Sequence, residues 1–285
     1  MQTGRSLLRP ALVVALVIPL VSCGFFDQLS AMRTFRQQLD SGKVCIGCGI
    51  STTDPSVTES LAELFDFLWI DLEHTALTFE SLQAHLIAGR ATATPALVRV
   101  PSGEVCWIKK CLDTGAGGVI LPRLYTVAEV EEFVAACRYP PRGRRGFGPR
   151  RASRYGRDLG PDFADRADAD VFPAAQIETA EAVEAIDEIV AVPGLDSVVL
   201  GPNDLSGSLG LLGQVEHPDV VAAMERVIAA ASARGLPVGS GMPVDPAYAE
   251  VQARRGVQWL QIGGALPHLM LAVDDTVKTV RQRLA

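Results

Sequence analysis

Four short apolar runs in this 285-residue chain end in residues that can do chemistry. Residues 67–71 lead into Leu72-Glu73-His74, residues 96–100 carry Arg99, residues 173–177 lead into Glu178, and residues 197–200 lead into Gly201-Pro202-Asn203-Asp204. Glu178 and Asp204 offer two hard carboxylate oxygens, the usual protein share for a Mg²⁺ or Mn²⁺ that keeps open positions for water and substrate. Arg99 can fork onto a substrate carboxylate, and His74 can move protons near neutral pH. Any one of these alone reads as well as a salt-bridge partner or a loop cap. Their joint weight comes from position, because the ends of parallel strands share one edge of a sheet. His85, His217 and His268 have no such position and read as structural hydrogen-bonders.

The elements that must hold this set alternate along the chain from residue 43 onward. Strands are predicted at 44–50, 67–71, 96–100, 118–121, 173–177, 197–200, 237–239 and 259–262, with helical patterns between them. At 55–65, Val57, Leu61, Leu64 and Phe65 fall on one stripe, and residues 180–190 read as one helix burying Val183, Ile186, Ile189 and Val190. Thr126 and Glu129 form a capping box, Gly235 a left-handed helix end, and Asp245-Pro246 a helix start. Val273, Val277, Val280 and Leu284 mark the last helix. Eight β/α units with near-continuous apolar strands and short connections predict an α/β fold, a (β/α)₈ TIM barrel formed by residues 32–285 as one domain.

Composition narrows the function further. The chain is 48% hydrophobic and 21% charged, as soluble globular proteins are, and 26 basic against 33 acidic residues give a net charge of −7. Such a balance leaves no positive field for nucleic acid. No GxGxxG follows the first strand and no phosphate loop exists, so dinucleotide and nucleotide-triphosphate readings lack their fingerprints. Cys45 and Cys48 lie three apart on a strand, hence on opposite faces, and read as core residues, not as a zinc or redox pair. Eight arginines between Arg138 and Arg157 suggest a subunit interface or a solvated loop, since no aromatic interleaving suits base stacking. At the amino terminus, Arg5 and Arg9 precede an uncharged run of 13 residues, 10–22, too short to span a bilayer. Leu20-Val21-Ser22-Cys23 resembles a bacterial lipoprotein processing box, and the alternative is a start at Met32. Residues 1–31 are set aside on either reading, which leaves 24 basic and 32 acidic residues. The expected location is cytoplasmic, or membrane-anchored if Cys23 is lipidated.

Six motifs, in order from Met32 to the end, resemble the HpcH/HpaI family of class II, pyruvate-dependent aldolases. They are Asp71-x-Glu73-His74, Val98-Arg99, Ile108 to Ala116, Tyr139-Pro140-Pro141-x-Gly143-x-Arg145-Gly146-x-Gly148, Gln176-Ile177-Glu178-Thr179 and Gly201-Pro202-x-Asp204-Leu205-Ser206. The resemblance implies a barrel of the phosphoenolpyruvate/pyruvate type. It implies Glu178 and Asp204 as ligands of Mg²⁺, Mn²⁺ or Co²⁺, with Gln176 close to that site. Arg99 is implied as the arginine contacting the keto acid, His74 as the catalytic base, and Asp113 as the aspartate that pairs with this histidine across a subunit boundary. The amides of Asn203 and Asp204 are implied to receive the pyruvate carboxylate, and the assembly to be a homo-oligomer, a hexamer in the family. Leu72, Arg123 and Asn203 depart from the family's usual residues, which leaves the core chemistry intact and the aldehyde open.

That chemistry is the reversible retro-aldol cleavage of a 4-hydroxy-2-oxo acid, such as 4-hydroxy-2-oxoheptanedioate or 2-dehydro-3-deoxyglucarate, to pyruvate and an aldehyde. A Schiff-base route would need a lysine at the mouth. Lys43 falls at the barrel's opposite face and Lys109, Lys110 and Lys278 in helices, so the metal route is expected. The rival readings are a CoA-ester lyase of the citrate lyase β or malyl-CoA type, against which the Asp-x-Glu-His signature speaks, and a lipid-anchored binding protein without catalysis.

Overall fold

In the computed structural model, which describes residues 34–285, eight parallel strands follow one another around a closed barrel. They are β1 Cys45–Ile50, β2 Phe67–Asp71, β3 Ala96–Arg99, β4 Gly118–Leu121, β5 Phe172–Ile177, β6 Ser197–Leu200, β7 Val238–Met242 and β8 Trp259–Gly264. β8 pairs back onto β1 through Cys45↔Trp259 and Ile46↔Leu260. Strands covered on both faces must be apolar throughout, and β4, β5 and β6 are buried at every residue. The (β/α)₈ expectation is met; the processing box around Cys23 lies outside the described residues.

The two ends of the barrel are unlike. At the amino-terminal end of the strands Phe67, Phe172 and Trp259 fill the interior, and Phe35 closes it, its ring 4.9 Å, 5.0 Å and 5.5 Å from theirs. Phe35 opens the helix Phe35–Leu39, which the Thr34–Gln37 capping box starts, and Arg36 bonds Asp196 with a fork at 2.6 and 2.8 Å. Gly47 and Gly239 leave the room these rings need, since a Cβ at either would overlap Phe67 or Trp259. With one end plugged, polar groups can collect only at the other.

Several expectations are corrected. Leu64 is 74% exposed, because the helix Pro55–Leu61 tightens into a 3₁₀ turn over Ala62–Leu64 that rotates it off the stripe, while Thr58 and Ala62 are buried. Residues 180–190 form two helices, Ala180–Glu184 and Ile186–Ile189, separated at Ala185, whose ψ of 9° departs from helical geometry. β7 extends to Met242, beyond the predicted 237–239, because Gly239 and Gly241 carry no side-chain periodicity. The helices Phe163–Asp170 and Pro202–Ser208 were not legible, the latter being rich in poor helix formers.

The arginine-rich connection is also not a merely solvated loop. Arg151, buried, donates to the carbonyls of Leu86 and Thr114, both at 3.0 Å, and Arg138 donates to the carbonyls of Asp168 and Gly194. Cys45 lies in the interior cluster and Cys48 is buried; both are free, and burial pushes both thiols up to about 11. The last helix, Ala265–Leu284, buries only Ala265 and leaves Leu269, Val273, Val277, Val280 and Leu284 exposed, while Ile46 on β1 is 38% exposed. No described helix is long and apolar enough to cross a membrane.

Replacing Gly239 by Ala forces a methyl into the Trp259 ring. Overpacking of this kind costs about 1–3 kcal/mol, so Gly239→Ala should lower the midpoint of denaturant unfolding; an unchanged midpoint would contradict the packing described.

Candidate active site

Register places Asp71, the last residue of β2, opposite Arg99, the last of β3. Arg99 donates from Nε to Asp71 Oδ1 at 3.0 Å and from Nη2 to Oδ2 at 2.7 Å, and its Nε lies 3.3 Å from Glu73 Oε2. The Trp69 ring is 5.4 Å from this guanidinium, within range of a cation–π contact. Asp71 also turns the chain, since its Oδ1 accepts the amides of Glu73 at 3.0 Å and His74 at 3.4 Å. Burial opposes the charge of Asp71, yet the Arg99 guanidinium and these amides hold its pKa below the usual range. Burial pushes Glu73 the other way, helped by the charges of Asp71 and Asp204 and only partly opposed by Arg99 and His74.

Glu178 follows β5 and is 2% exposed. Its Oε1 accepts the backbone N–H of Arg123 at 2.6 Å, and its Oε2 accepts from Gln176 Nε2. Residue 201 must be glycine here, because a Cβ would stand 2.5 Å from Glu178 Oε2 and 2.9 Å from Gln176 Nε2. Burial raises the Glu178 pKa to about 7, with the like charges of Asp204 and Glu73 adding to the rise against the Arg123 and Gln176 hydrogen bonds. Asp204 comes from the first turn of Pro202–Ser208, directly after β6.

A cavity of about 1100 Å³ opens at this end of the barrel, and His74, Arg99, Gln176, Asn203 and Asp204 all line it. Glu178 sits behind Gln176 and Gly201 and is buried, so the six residues converge on one mouth from β2, β3, β5 and β6. Asp113 does not join them within the chain: it lies on the helix Val105–Thr114 and pairs with Arg145 at 2.7 Å, whose guanidinium stacks 4.5 Å from the Tyr139 ring. No lysine lines the cavity; Lys109 and Lys110 lie on that same helix, and Lys278 pairs with Asp274 at 2.7 Å. His85 is buried between Thr58 Oγ1 and the Thr52 carbonyl, His217 caps Pro218–Ala233, and His268 bonds the Ile262 carbonyl.

Asp71 and Glu73 also belong to the site, Asp71 by forking onto Arg99 and Glu73 by standing beside its guanidinium. The Arg123 contribution is a backbone amide presented by a left-handed residue, φ 51°, and side-chain type carries no signal for it. The donor set fits a hard divalent cation. A buried carboxylate with like-charged neighbours and no cationic side chain among its hydrogen-bond partners gains from a positive ion, and the buried Gln176 Oε1 has no partner among the described residues. Among those residues no three His, Cys, Asp or Glu side chains are placed to hold a metal ion together; Glu178 and Asp204 are the carboxylates that would supply the side-chain share.

Residues 47–271 match the family HpcH/HpaI aldolase/citrate lyase. The chain is 38% identical over 211 residues to a hydroxypyruvate/pyruvate aldolase of Roseobacter denitrificans, covering 73% of this chain and 82% of that one. It is 36% identical over 227 residues to a 5-keto-4-deoxy-D-glucarate aldolase of Escherichia coli, covering 79% and 86%. The crystal structure of an HpcH/HpaI aldolase from Desulfitobacterium hafniense superposes with a TM-score of 0.81 at 32% identity, covering 87% of this chain and 97% of that one.

The raised pKa of Glu178 has a measurable consequence without metal. Its folded value, about 7, lies above the ordinary 4.5, so its contribution to stability is fully present below 4.5 and is lost as pH rises through 7. In EDTA, Glu178→Gln should gain stability relative to wild type between pH 5 and 8, reaching about 3 kcal/mol. Parallel denaturation midpoints across that range would show the carboxylate unperturbed.

Proposed function

The chain belongs to the HpcH/HpaI aldolase/citrate lyase family and is a lyase, and from that premise we propose that it cleaves a 4-hydroxy-2-oxo acid reversibly to pyruvate and an aldehyde. The observation that carries this reading is the convergence of Glu178 and Asp204 with Arg99 and His74 at one barrel mouth.

Glu178 and Asp204 would hold a divalent cation, Mg²⁺, Mn²⁺ or Co²⁺, which when bound would supply positive charge to offset the negative charge that develops on the keto acid as the carbon–carbon bond breaks. The chain's own groups do the rest. Arg99, pinned by Asp71 and underlain by Trp69, orients the keto acid and offsets the negative charge that develops on it. The Asn203 and Asp204 amides receive its carboxylate, and Gln176 holds Glu178 in place. His74, with its side chain 57% exposed at the mouth, takes the C4-hydroxyl proton through water during cleavage and returns it in synthesis.

Asp113 of a neighbouring copy orients His74 in this reading, which makes the enzyme a homo-oligomer. Two features support that assembly. Asp113 is fixed through one oxygen, Oδ1, by the buried Arg145, and the helix Ala265–Leu284 exposes an apolar stripe that a monomer leaves in water.

With Mn²⁺ and pyruvate in D₂O, the wild-type chain should exchange the pyruvate methyl protons, and Glu178→Ala should abolish the exchange, read by proton NMR. No exchange with metal shown to be bound overturns the aldolase in favour of a CoA-ester lyase. His74→Asn and Asp113→Asn should each be nearly inactive in cleavage. Mixing the two after dissociation and reassembly should restore activity, since mixed assemblies contain sites with both native residues; no recovery from properly reassembled mixtures would place the dyad elsewhere.

A further inference from the structure

The cavity has two chemically different halves. On one side lie Asp71, His74, Arg99, Gln176 and Asp204, the residues that handle the keto acid. The other side is walled mainly by Val215, by Met242 and Val244 around the end of β7, and by Pro267, Met270 and Leu271 of the helix Ala265–Leu284, with Tyr248 and Gln261 as its uncharged polar members. These side chains favour a ligand that removes apolar surface from water.

The charged residues lining this second half are Glu216 and Asp245, both acidic. Asp245 is committed as a helix cap, its Oδ1 accepting the amides of Ala247 at 2.9 Å and Tyr248 at 3.1 Å, and Glu216 is exposed at the rim. The cationic side chains that line the cavity are Arg99 and, when protonated, His74, both on the keto-acid side, and Arg99 already faces Asp71 and Glu73. Arg123, the other arginine near the site, does not line the cavity. A second carboxylate entering the apolar half would lose water, meet no cation of its own chain and face two acidic side chains. Size excludes little, since about 1100 Å³ is at the upper end for a small-molecule site. Selection must therefore rest on polarity.

We propose, on the aldolase reading above, that the apolar half of the cavity takes an uncharged aldehyde with a short apolar tail in preference to one ending in a carboxylate, with Glu216 as a specificity-determining residue that rejects the anion. In the synthetic direction the bond formed joins pyruvate C3 to the aldehyde carbon. One C3 proton leaves and the aldehyde oxygen gains one, so the addition balances without oxidant or reductant.

The test uses the full chain with Mn²⁺, pyruvate and a matched pair of acceptors, butanal and 4-oxobutanoate, which differ only in a terminal methyl or carboxylate. Wild-type kcat/KM should favour butanal by about tenfold or more, the scale on which one group in an apolar pocket discriminates. Glu216→Arg should narrow that ratio by about tenfold through faster use of 4-oxobutanoate. Equal or reversed preference in the wild type overturns the proposal, and an unchanged ratio in Glu216→Arg overturns the role of Glu216. Pyruvate exchange in D₂O, followed in the same samples, separates the two levels. Exchange with no product from either aldehyde overturns the acceptor assignment alone, and absence of exchange removes the aldolase reading and this inference with it.

Discussion

Holding the Glu178 carboxylate just beneath the barrel mouth is the constraint around which the rest of the site is arranged. A carboxylate removed from water loses solvation that only hydrogen bonds or a cation can replace. The Arg123 amide and the Gln176 amide group supply the hydrogen bonds. Bringing them within reach requires a left-handed non-glycine residue at the end of β4 and a glycine at the end of β6. Asp204 and Glu73 add like charge to the same place. Three strand ends are thus shaped by one buried acid, and the unfavourable charge that remains is what makes the site ready for a positive ion.

Arg99 is arranged on the opposite principle. Its charge is balanced within the protein by the Asp71 fork and the nearby Glu73, and Trp69 lies beside it, so its orientation does not depend on a bound ligand. Because Asp71 also accepts the amides that turn the chain toward His74, the position of the histidine is coupled to that of the arginine. A substitution at Asp71 would therefore disturb binding and proton transfer together.

Support for this edge comes from the opposite end and from outside. Phe35 and the rings around it seal the barrel's amino-terminal end, while strand pairing sets the register of the strand ends at the mouth. The arginine-rich connection ties helices together through carbonyl groups: Arg151 is buried without a carboxylate partner among the described residues, and burial together with the charge of Arg90 lowers its pKa. Arg145 does the equivalent for Asp113, fixing one oxygen of an aspartate that has no role inside its own chain's cavity.

Sequence alone determined the eight-unit alternation, the closed barrel it implies and the strand-end positions of His74, Arg99, Glu178 and Asp204, because parallel strands buried on both faces are continuous apolar runs whose ends stand out. Capping chemistry was equally readable, as at Thr126–Glu129 and Asp245–Pro246. What only the tertiary structure decided depends on contacts between segments far apart in the chain. Leu64 turned outward where local periodicity placed it inward, and β7 was hidden by Gly239 and Gly241, the first of which leaves room for Trp259. The Arg123 amide on Glu178, the clamp of Arg145 on Asp113 and the division of the cavity into polar and apolar halves likewise follow from closure of the barrel, which brings together residues that no local pattern relates.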